Sequence, residues 1–82
     1  MQNHKSRVRY LLTTSLKPYV ANARTHSPKQ IREVANSIET FGFTAPLLVD
    51  GMGTVLAGHC RLEAAKLLKL SKVPTICIDY LT

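Results

Sequence analysis

The sequence predicts an α+β domain, with a small mixed β-sheet and two main helices. Two stretches carry apolar residues at helical spacing, whereas the segments around them alternate or are continuously apolar, as strands are. Glycine and proline stand at the joins between these stretches. The 82 residues suffice for one small domain. We expect residues 1–15 to be a polar segment with the first strand, and residues 16–82 to be the main body of that single domain.

The first predicted element is a strand in a basic part of the chain. Residues 7–12 alternate, with Val8, Tyr10 and Leu12 on one side and arginines on the other. The next segment, residues 17–24, has no clear period and is predicted to be a loop. The full predicted order is strand, loop, helix, strand, strand, helix, strand.

The first helix has the clearest local signals in the chain. Ser27 is a typical N-cap residue, Pro28 suits the first helical position, and Gln30 completes a capping box. Apolar residues follow at helical spacing, and Gly42 suits a left-handed helix end.

The second half of the chain is predicted to fold as strand, turn, strand, helix and strand. Residues 43–50 are apolar and extended, and a turn at residues 50–53 leads into a strand at residues 54–57. The second helix is expected to end near Leu70, before a last strand at residues 75–80. The apolar phase of each element predicts this core: Ile31, Val34, Ile38, Leu48, Val55, Ala65, Leu68, Ile76 and Ile78.

The start of the second helix carries the strongest functional signal. Arg61 stands on one helix face with small and apolar residues at i+3, i+4 and i+7, directly after Gly58. Unpaired backbone N–H groups and the positive end of the helix dipole collect at such a start, so an anion suits it. Glycine also allows a close backbone approach. The alternative is an ordinary strand–turn–helix junction with a solvated arginine.

The charge of the chain favours partners that carry phosphate. Eleven Lys and Arg residues outnumber five Asp and Glu residues, which gives a net charge of +6. This balance suits nucleotides or nucleic acids, although a solubilising basic surface is the alternative. No apolar run is long enough for a membrane span or a signal peptide, so we expect a cytoplasmic protein without membrane contact. Cys60 and Cys77 form no C-x-x-C pair, and no zinc pattern is present.

Several short motifs occur in an order typical of one superfamily. Asn22-Ala23-Arg24 matches an early Asn-x-Arg box, and Gly58-His59-Cys60-Arg61 matches a glycine-led box that is commonly Gly-Glu-Arg-Arg. Residues 37–50 match a passage in which a helix is followed by Phe-Gly, then by proline and an apolar strand. Val73-Pro74 matches a Val-Pro pair that precedes the last strand. The chain therefore resembles the ParB/sulfiredoxin superfamily, specifically the N-terminal domain of ParB-like proteins. The likeness covers residues 16–80.

The resemblance implies a nucleotide site. In such families the glycine-led box binds phosphates, those of CTP in ParB proteins and of ATP in sulfiredoxins and related kinases. The expected ligand is thus CTP or ATP with Mg²⁺. The implied site combines both boxes: Gly58, His59, Cys60, Arg61, Asn22 and Arg24. His59 replaces the common glutamate and Cys60 replaces an arginine, which removes one phosphate-facing cation. A Gly-His-x-Arg box is more similar to ParB-like domains of phage and plasmid DNA-modification proteins.

A redox role like that of sulfiredoxin is a weaker interpretation. Sulfiredoxins have Gly-Cys-His-Arg, so their cysteine aligns with His59 and not with Cys60. A cysteine at a helix start beside Arg61 could have a lowered pKa. Cysteines are, however, often simply buried as small apolar residues.

The leading interpretation is a ParB-like nucleotide-binding module in a DNA transaction: plasmid or phage partition, regulation or DNA modification. The expected partners are a nucleotide, a second copy of the chain, and DNA reached through additional domains or partner proteins. Two alternatives stay open. One is a nucleotide-dependent phosphotransferase or nuclease of the same superfold, and the other is a DNA-phosphate-binding or interaction domain with a vestigial pocket. Whether the chain is an enzyme is left open, as is whether it is part of a longer protein.

Overall fold

The computed structural model describes residues 8–19 and 26–78, and it confirms the α+β class. In chain order its elements are β1 (Val8–Leu12), a 3₁₀ turn (Thr13–Ser15), β2 (Lys17–Pro18), α1 (Pro28–Phe41), β3 (Leu47–Val49), β4 (Thr54–Ala57), α2 (His59–Leu67) and β5 (Lys72–Cys77). The strands form one five-stranded sheet in the order β1-β5-β3-β4-β2. The sheet is mixed, because β1–β5 and β3–β4 pair antiparallel whereas β2–β4 and β3–β5 pair parallel.

Several element bounds differ from the prediction. β2 lies inside the segment predicted to be a loop, where Lys17 pairs with Thr54. Two residues are too few to show a period, so the sequence carries no strand signal there. α2 ends at Leu67 instead of Leu70, and β5 begins at Lys72 instead of residue 75.

The caps of α1 follow the prediction in part. The Ser27 hydroxyl oxygen accepts a hydrogen bond from the Gln30 backbone N–H at 3.1 Å, as an N-cap does. The Gln30 side-chain oxygen lies 3.4 Å from Nδ1 of His26, so its contact is with that ring. At the other end Gly42 has a positive φ of 76°, and its N–H donates to the Ile38 carbonyl at 2.7 Å.

The turn between β3 and β4 is organised by one carboxylate. Oδ1 of Asp50 accepts hydrogen bonds from the backbone N–H groups of Met52 at 2.8 Å and Thr54 at 2.9 Å. These two bonds lower the pKa of the Asp50 carboxyl below its ordinary value of 3.8, and the bond from the Thr54 N–H has the larger effect. This acidic side chain therefore has a structural role in the turn.

The core lies between α2 and one face of the sheet. It consists of Leu16, Leu47, Val49, Val55, Leu62, Ala65 and Val73. Val55 and Ala65 were predicted to be core residues. The remaining predicted core residues are only half-buried: Ile31, Val34, Ile38, Leu48, Leu68, Ile76 and Ile78.

For β5 the predicted core residues were Ile76 and Ile78, whereas the fully buried side chains Val73 and Thr75 alternate with them on the opposite face. Leu11 packs against the core and lies opposite buried Val73, whereas the apolar row predicted for β1 lies on the other face of the sheet. In that row Val8, Tyr10 and Leu12 are 52%, 64% and 48% exposed. Alternation shows which side chains share a face, but the helices decide which face is covered.

The two helices pack against each other through small side chains. Ala35 of α1 and Ala64 and Ala65 of α2 are buried, and α1 and α2 are in contact. Ala35 is the one buried residue of α1. Val34 and Ile38, on the same apolar stripe, stay half-buried because they line an open cleft.

Candidate functional site

Gly58 joins β4 to α2 and is required there by the fold. Its φ is +99°, a conformation that side chains with a Cβ rarely adopt. A Cβ at this position would also lie 3.1 Å from Cγ of Leu47 on β3. The backbone is thus close to the sheet, and the Gly58 carbonyl accepts the first helical hydrogen bond, from the Leu62 N–H at 3.0 Å.

The start of α2 is well suited to an anion. Gly58 at the N-cap offers no side chain to accept from the first-turn N–H groups, and the first turn contains no acidic residue. The N–H groups of residues 59–61 precede the helical hydrogen-bond ladder. They therefore remain available to a bound anion at the positive end of the helix.

A cleft of about 270 Å³ lies between α1 and the start of α2. Gly58, Cys60 and Arg61 line it from one side, and Val34 and Ile38 line it from α1. Three neutral polar side chains also line the cleft, together with Gly42 and Phe43: Gln30, Ser37 and Thr44. Among the described residues around this cleft, Arg61 is the one charged side chain.

The side chain of Cys60 is half-buried and lines this cleft. Burial raises the pKa of the Cys60 thiol above its ordinary value of 9.0, and the charge of Glu63 adds to this effect. The positive charge of Arg61 lowers the pKa of this thiol, but by less than burial raises it. A helix start beside Arg61 could lower the pKa of a thiol, but here desolvation outweighs the neighbouring cation, which agrees with the redox role being the weaker interpretation.

His59 makes a contact outside the cleft lining. Its Nε2 accepts a hydrogen bond from the Tyr19 backbone N–H at 3.4 Å, across forty positions of the chain. Tyr19 directly follows β2, which runs parallel to β4. The described chain at Tyr19 therefore lies beside the start of α2.

The structure brings together part of the site predicted from the sequence. Gly58, Cys60 and Arg61 meet at one cleft, whereas His59 contacts the end of β2. Asn22 and Arg24 lie outside the described residues.

Sequence reasoning missed the polar side chains that α1 contributes to the cleft. Gln30 and Ser37 lie seven residues apart, with Val34 between them at helical spacing. Polar residues at the margin of an apolar helix stripe are the sequence signal for a helix that forms one side of a polar cleft. Gln30 had been assigned to capping alone.

Comparison with known proteins identifies the family. The model of the ParB N-terminal domain matches residues 1–81. The chain belongs to the ParB N-terminal domain family. Within it, the chain is 42% identical over 80 residues to the ParB-like nuclease domain-containing protein YnaK of Escherichia coli (strain K12), covering 98% of this chain and 92% of that protein. It is 34% identical over 62 residues to the probable chromosome-partitioning protein ParB of Rickettsia bellii, covering 74% of this chain but only 22% of that protein.

Solved structures share the fold of this ParB domain. A C-terminally truncated ParB from Caulobacter crescentus, complexed with CTP-gamma-S, is 25% identical with a TM-score of 0.78, covering 89% of this chain and 44% of that one. Sulfiredoxin from Arabidopsis thaliana has a TM-score of 0.79 at 20% identity, with coverage of 88% and 84%. A free serine kinase in complex with AMP has a TM-score of 0.78 at 20% identity, with coverage of 96% and 34%. The last two show a shared fold.

The described residues lack two other kinds of feature. Across residues 8–19 and 26–78, no helix is long and apolar enough to cross a membrane. In the same ranges no group of three or more His, Cys, Asp or Glu side chains could hold a metal ion.

Proposed function

We propose that this ParB domain is a nucleotide-binding module that acts in a DNA transaction such as plasmid or phage partition, regulation or DNA modification. The observation that carries the proposal is the position of Arg61. Its side chain lines the same cleft as the uncapped start of α2, so one cation and several backbone donors converge there. Two proteins of the same fold contain nucleotides in their structures, CTP-gamma-S and AMP.

The chemistry of this donor set fits phosphate. A guanidinium group donates two parallel hydrogen bonds to one phosphate, and helix-start amides donate to the same kind of group. The cleft is smaller than the roughly 300–1,000 Å³ of pockets that enclose a drug-sized ligand. It therefore accommodates part of a nucleotide, with the remainder lying along the surface. The proposed ligands are CTP or ATP with Mg²⁺, and the metal ion would offset part of the phosphate charge.

The first box completes the proposed site. The Tyr19–His59 hydrogen bond and the parallel pairing of β2 with β4 support this assignment, because they hold Tyr19, three positions before Asn22 in the sequence, beside the start of α2. We assign Arg24 to the phosphates and Asn22 to the ordering of its own segment.

The two described carboxylates on either side of this site in the sequence, Asp50 and Glu63, each have a partner outside the cleft lining. Asp50 accepts two backbone hydrogen bonds in its turn, and Glu63 lies 4.0 Å from the Lys66 ammonium on the exposed side of α2. General bases and metal ligands of phosphotransferases and nucleases are commonly carboxylates. These positions favour a binding module over either kind of enzyme.

Titration calorimetry tests the proposal. CTP or ATP with Mg²⁺ should bind, and the nucleoside without phosphates should not. Arg61→Ala should weaken binding by about 1.5–3 kcal/mol, the usual contribution of a charge-assisted hydrogen bond. Lys72→Ala is the control, because Lys72 is exposed on β5 and does not line the cleft. Arg24→Ala should weaken binding less than Arg61→Ala if the first box only closes over the ligand.

One result would overturn the proposal. If no nucleotide bound at millimolar concentration while duplex DNA did, with Arg61→Ala no worse than Lys72→Ala, the cleft would not be a phosphate site. The basic surface would then account for binding, as in the alternative of a DNA-phosphate-binding domain with a vestigial pocket.

A further inference from the structure

The two edges of the sheet differ in how well they resist pairing with a further strand. One edge is β2, which consists of Lys17 and Pro18 alone. A very short edge strand with a lysine and a proline is protected against such pairing. The other edge is β1, which has five residues and contains neither lysine nor proline. Among the described residues its one strand partner is β5, so its outer side can accept another strand.

The backbone groups that point out from β1 belong to three residues: Val8, Tyr10 and Leu12. In an antiparallel pair every second residue exchanges hydrogen bonds with the partner strand, and the residues between them direct their N–H and C=O groups outward. Directly after β1 the Thr13 N–H donates to the Ser71 carbonyl at 2.9 Å, which assigns the odd-numbered residues to the pairing with β5. Tyr10 lies opposite Pro74, which has no N–H to donate, in agreement with this phase.

The same three residues carry the exposed apolar row of β1. We propose that β1 pairs antiparallel with β1 of a second copy of this chain, centred on Tyr10, so that the two sheets join. In this register Tyr10 lies opposite Tyr10 of the second copy, and Val8 lies opposite Leu12. Arg9 lies opposite Leu11, so no arginine directly faces another. This absence of facing like charges favours a second copy as the added strand.

The proposed contact is small, and the two copies repel each other. A contact of one five-residue strand per copy falls below the roughly 1,200 Å² of stable interfaces, so the dimer should dissociate readily. Each copy carries a net charge of +6, and salt screens the repulsion between them. The dimer should therefore strengthen as salt is added, whereas a complex held by opposite charges would weaken. The contact is independent of the proposed nucleotide site, because no residue of β1 lines the cleft.

Sedimentation equilibrium of the full chain measures the association. We expect a dissociation constant on the order of 0.1 mM that falls about threefold or more between about 0.1 and 1 M salt. Tyr10→Lys should abolish the dimer, because it places two ammonium groups opposite each other at the centre of the contact. Met52→Lys is the control, because it adds the same charge at an exposed residue of the β3–β4 turn. An equal loss of dimer in both variants, or a dimer that weakens with salt, would overturn the proposal.

A proline at Leu12 tests whether the backbone of β1 makes the contact. The φ of Leu12 is −64°, which proline adopts without strain, and its N–H points away from β5. Leu12→Pro should therefore keep the β1–β5 pairing but weaken the dimer about tenfold or more, because each copy loses a donor to the Val8 carbonyl of the other. Leu12→Ala removes the same side chain and keeps the N–H, so it should weaken the dimer less. Equal weakening by both substitutions would contradict strand pairing.

Amide hydrogen exchange, followed by NMR as the protein concentration rises, identifies what covers the edge. The N–H groups of Arg9 and Leu11 should be protected at every concentration, because they are bonded to β5. Those of Val8, Tyr10 and Leu12 should become protected only as the dimer forms. If the chain stays monomeric at millimolar concentration with these three amides unprotected, the proposal is overturned and the edge is left to a strand of another protein. If they are protected in the monomer, it is overturned in favour of another segment of the same chain.

Discussion

Gly58 combines two constraints at one residue, a positive φ and a close approach to Leu47. Alanine would incur the left-handed backbone penalty and would press its Cβ against the Leu47 side chain. We expect Gly58→Ala to lower the free energy of unfolding by about 2–4 kcal/mol, measured by urea denaturation.

Gly51→Ala is the matched control for that experiment. Gly51 is exposed in the β3–β4 turn and is not among the glycines with positive φ. Its replacement should change the free energy of unfolding by no more than about 0.5 kcal/mol. If Gly58→Ala were equally mild, the backbone would have to relax away from Leu47, and the geometry at the start of α2 would differ from that described.

The residues around the cleft show what local sequence can predict. Gly58, Cys60 and Arg61 follow from a strand, a glycine and a helix start, which are all local features. The direction of His59 was not predictable, because its partner is the backbone of Tyr19 beyond a two-residue strand. The desolvation that raises the pKa of the Cys60 thiol was not predictable either, since it depends on packing that local sequence does not show.

At the level of elements, the helices were easier to predict than the strands. The Ser27 cap and the Gly42 end of α1 are encoded within a few residues, and the structure has both, although Gly42 combines its positive φ with an extended ψ of −173° instead of a left-handed helical one. The strands depend on partners that lie far away in the sequence. Alternation in β1 was read correctly as a strand, but its apolar row proved to lie on the uncovered face.

Two substitutions, one in each helix, test how deeply the apolar side chains of α1 and α2 are buried. Leu62 of α2 is 1% exposed in the core, so Leu62→Ala should cost about 2–5 kcal/mol of unfolding free energy. Ile38 of α1 is only half-buried on the cleft wall, so Ile38→Ala should cost less, about 1–2 kcal/mol. Chemical denaturation of both variants gives the comparison. If the two substitutions lowered the free energy of unfolding equally, Ile38 would be buried as deeply as Leu62, and the cleft would be closed in solution.

At the level of the whole molecule, the net charge predicts how this chain would contact DNA. The chain carries a net charge of +6, and a contact made by basic side chains to DNA phosphates has no sequence preference. We expect this chain alone to bind duplexes of unrelated sequence equally. If about four phosphates are contacted, affinity should fall about a hundredfold between about 50 and 200 mM salt.

Fluorescence anisotropy with labelled duplexes at several salt concentrations measures this slope. The same titration with a single-stranded oligonucleotide serves as a control for charge density, because the expected slope is shallower. Strong preference for one duplex sequence, retained at high salt, would contradict the expectation. It would show that these residues contact base edges.

The pairing of the first described strand with the last has a consequence for how the chain folds. Val8 lies opposite Ile76, and β5 is the only described neighbour of β1 in the sheet. During synthesis β1 therefore has to wait until β5 has left the ribosome, while α1 and the β3–β4 hairpin can form earlier. Closing so long a loop carries an entropic cost that local contacts do not offset, which slows folding relative to a helical bundle of similar size. Docking of β1 should be the last step, and refolding in a test tube should be limited by this pairing of distant segments.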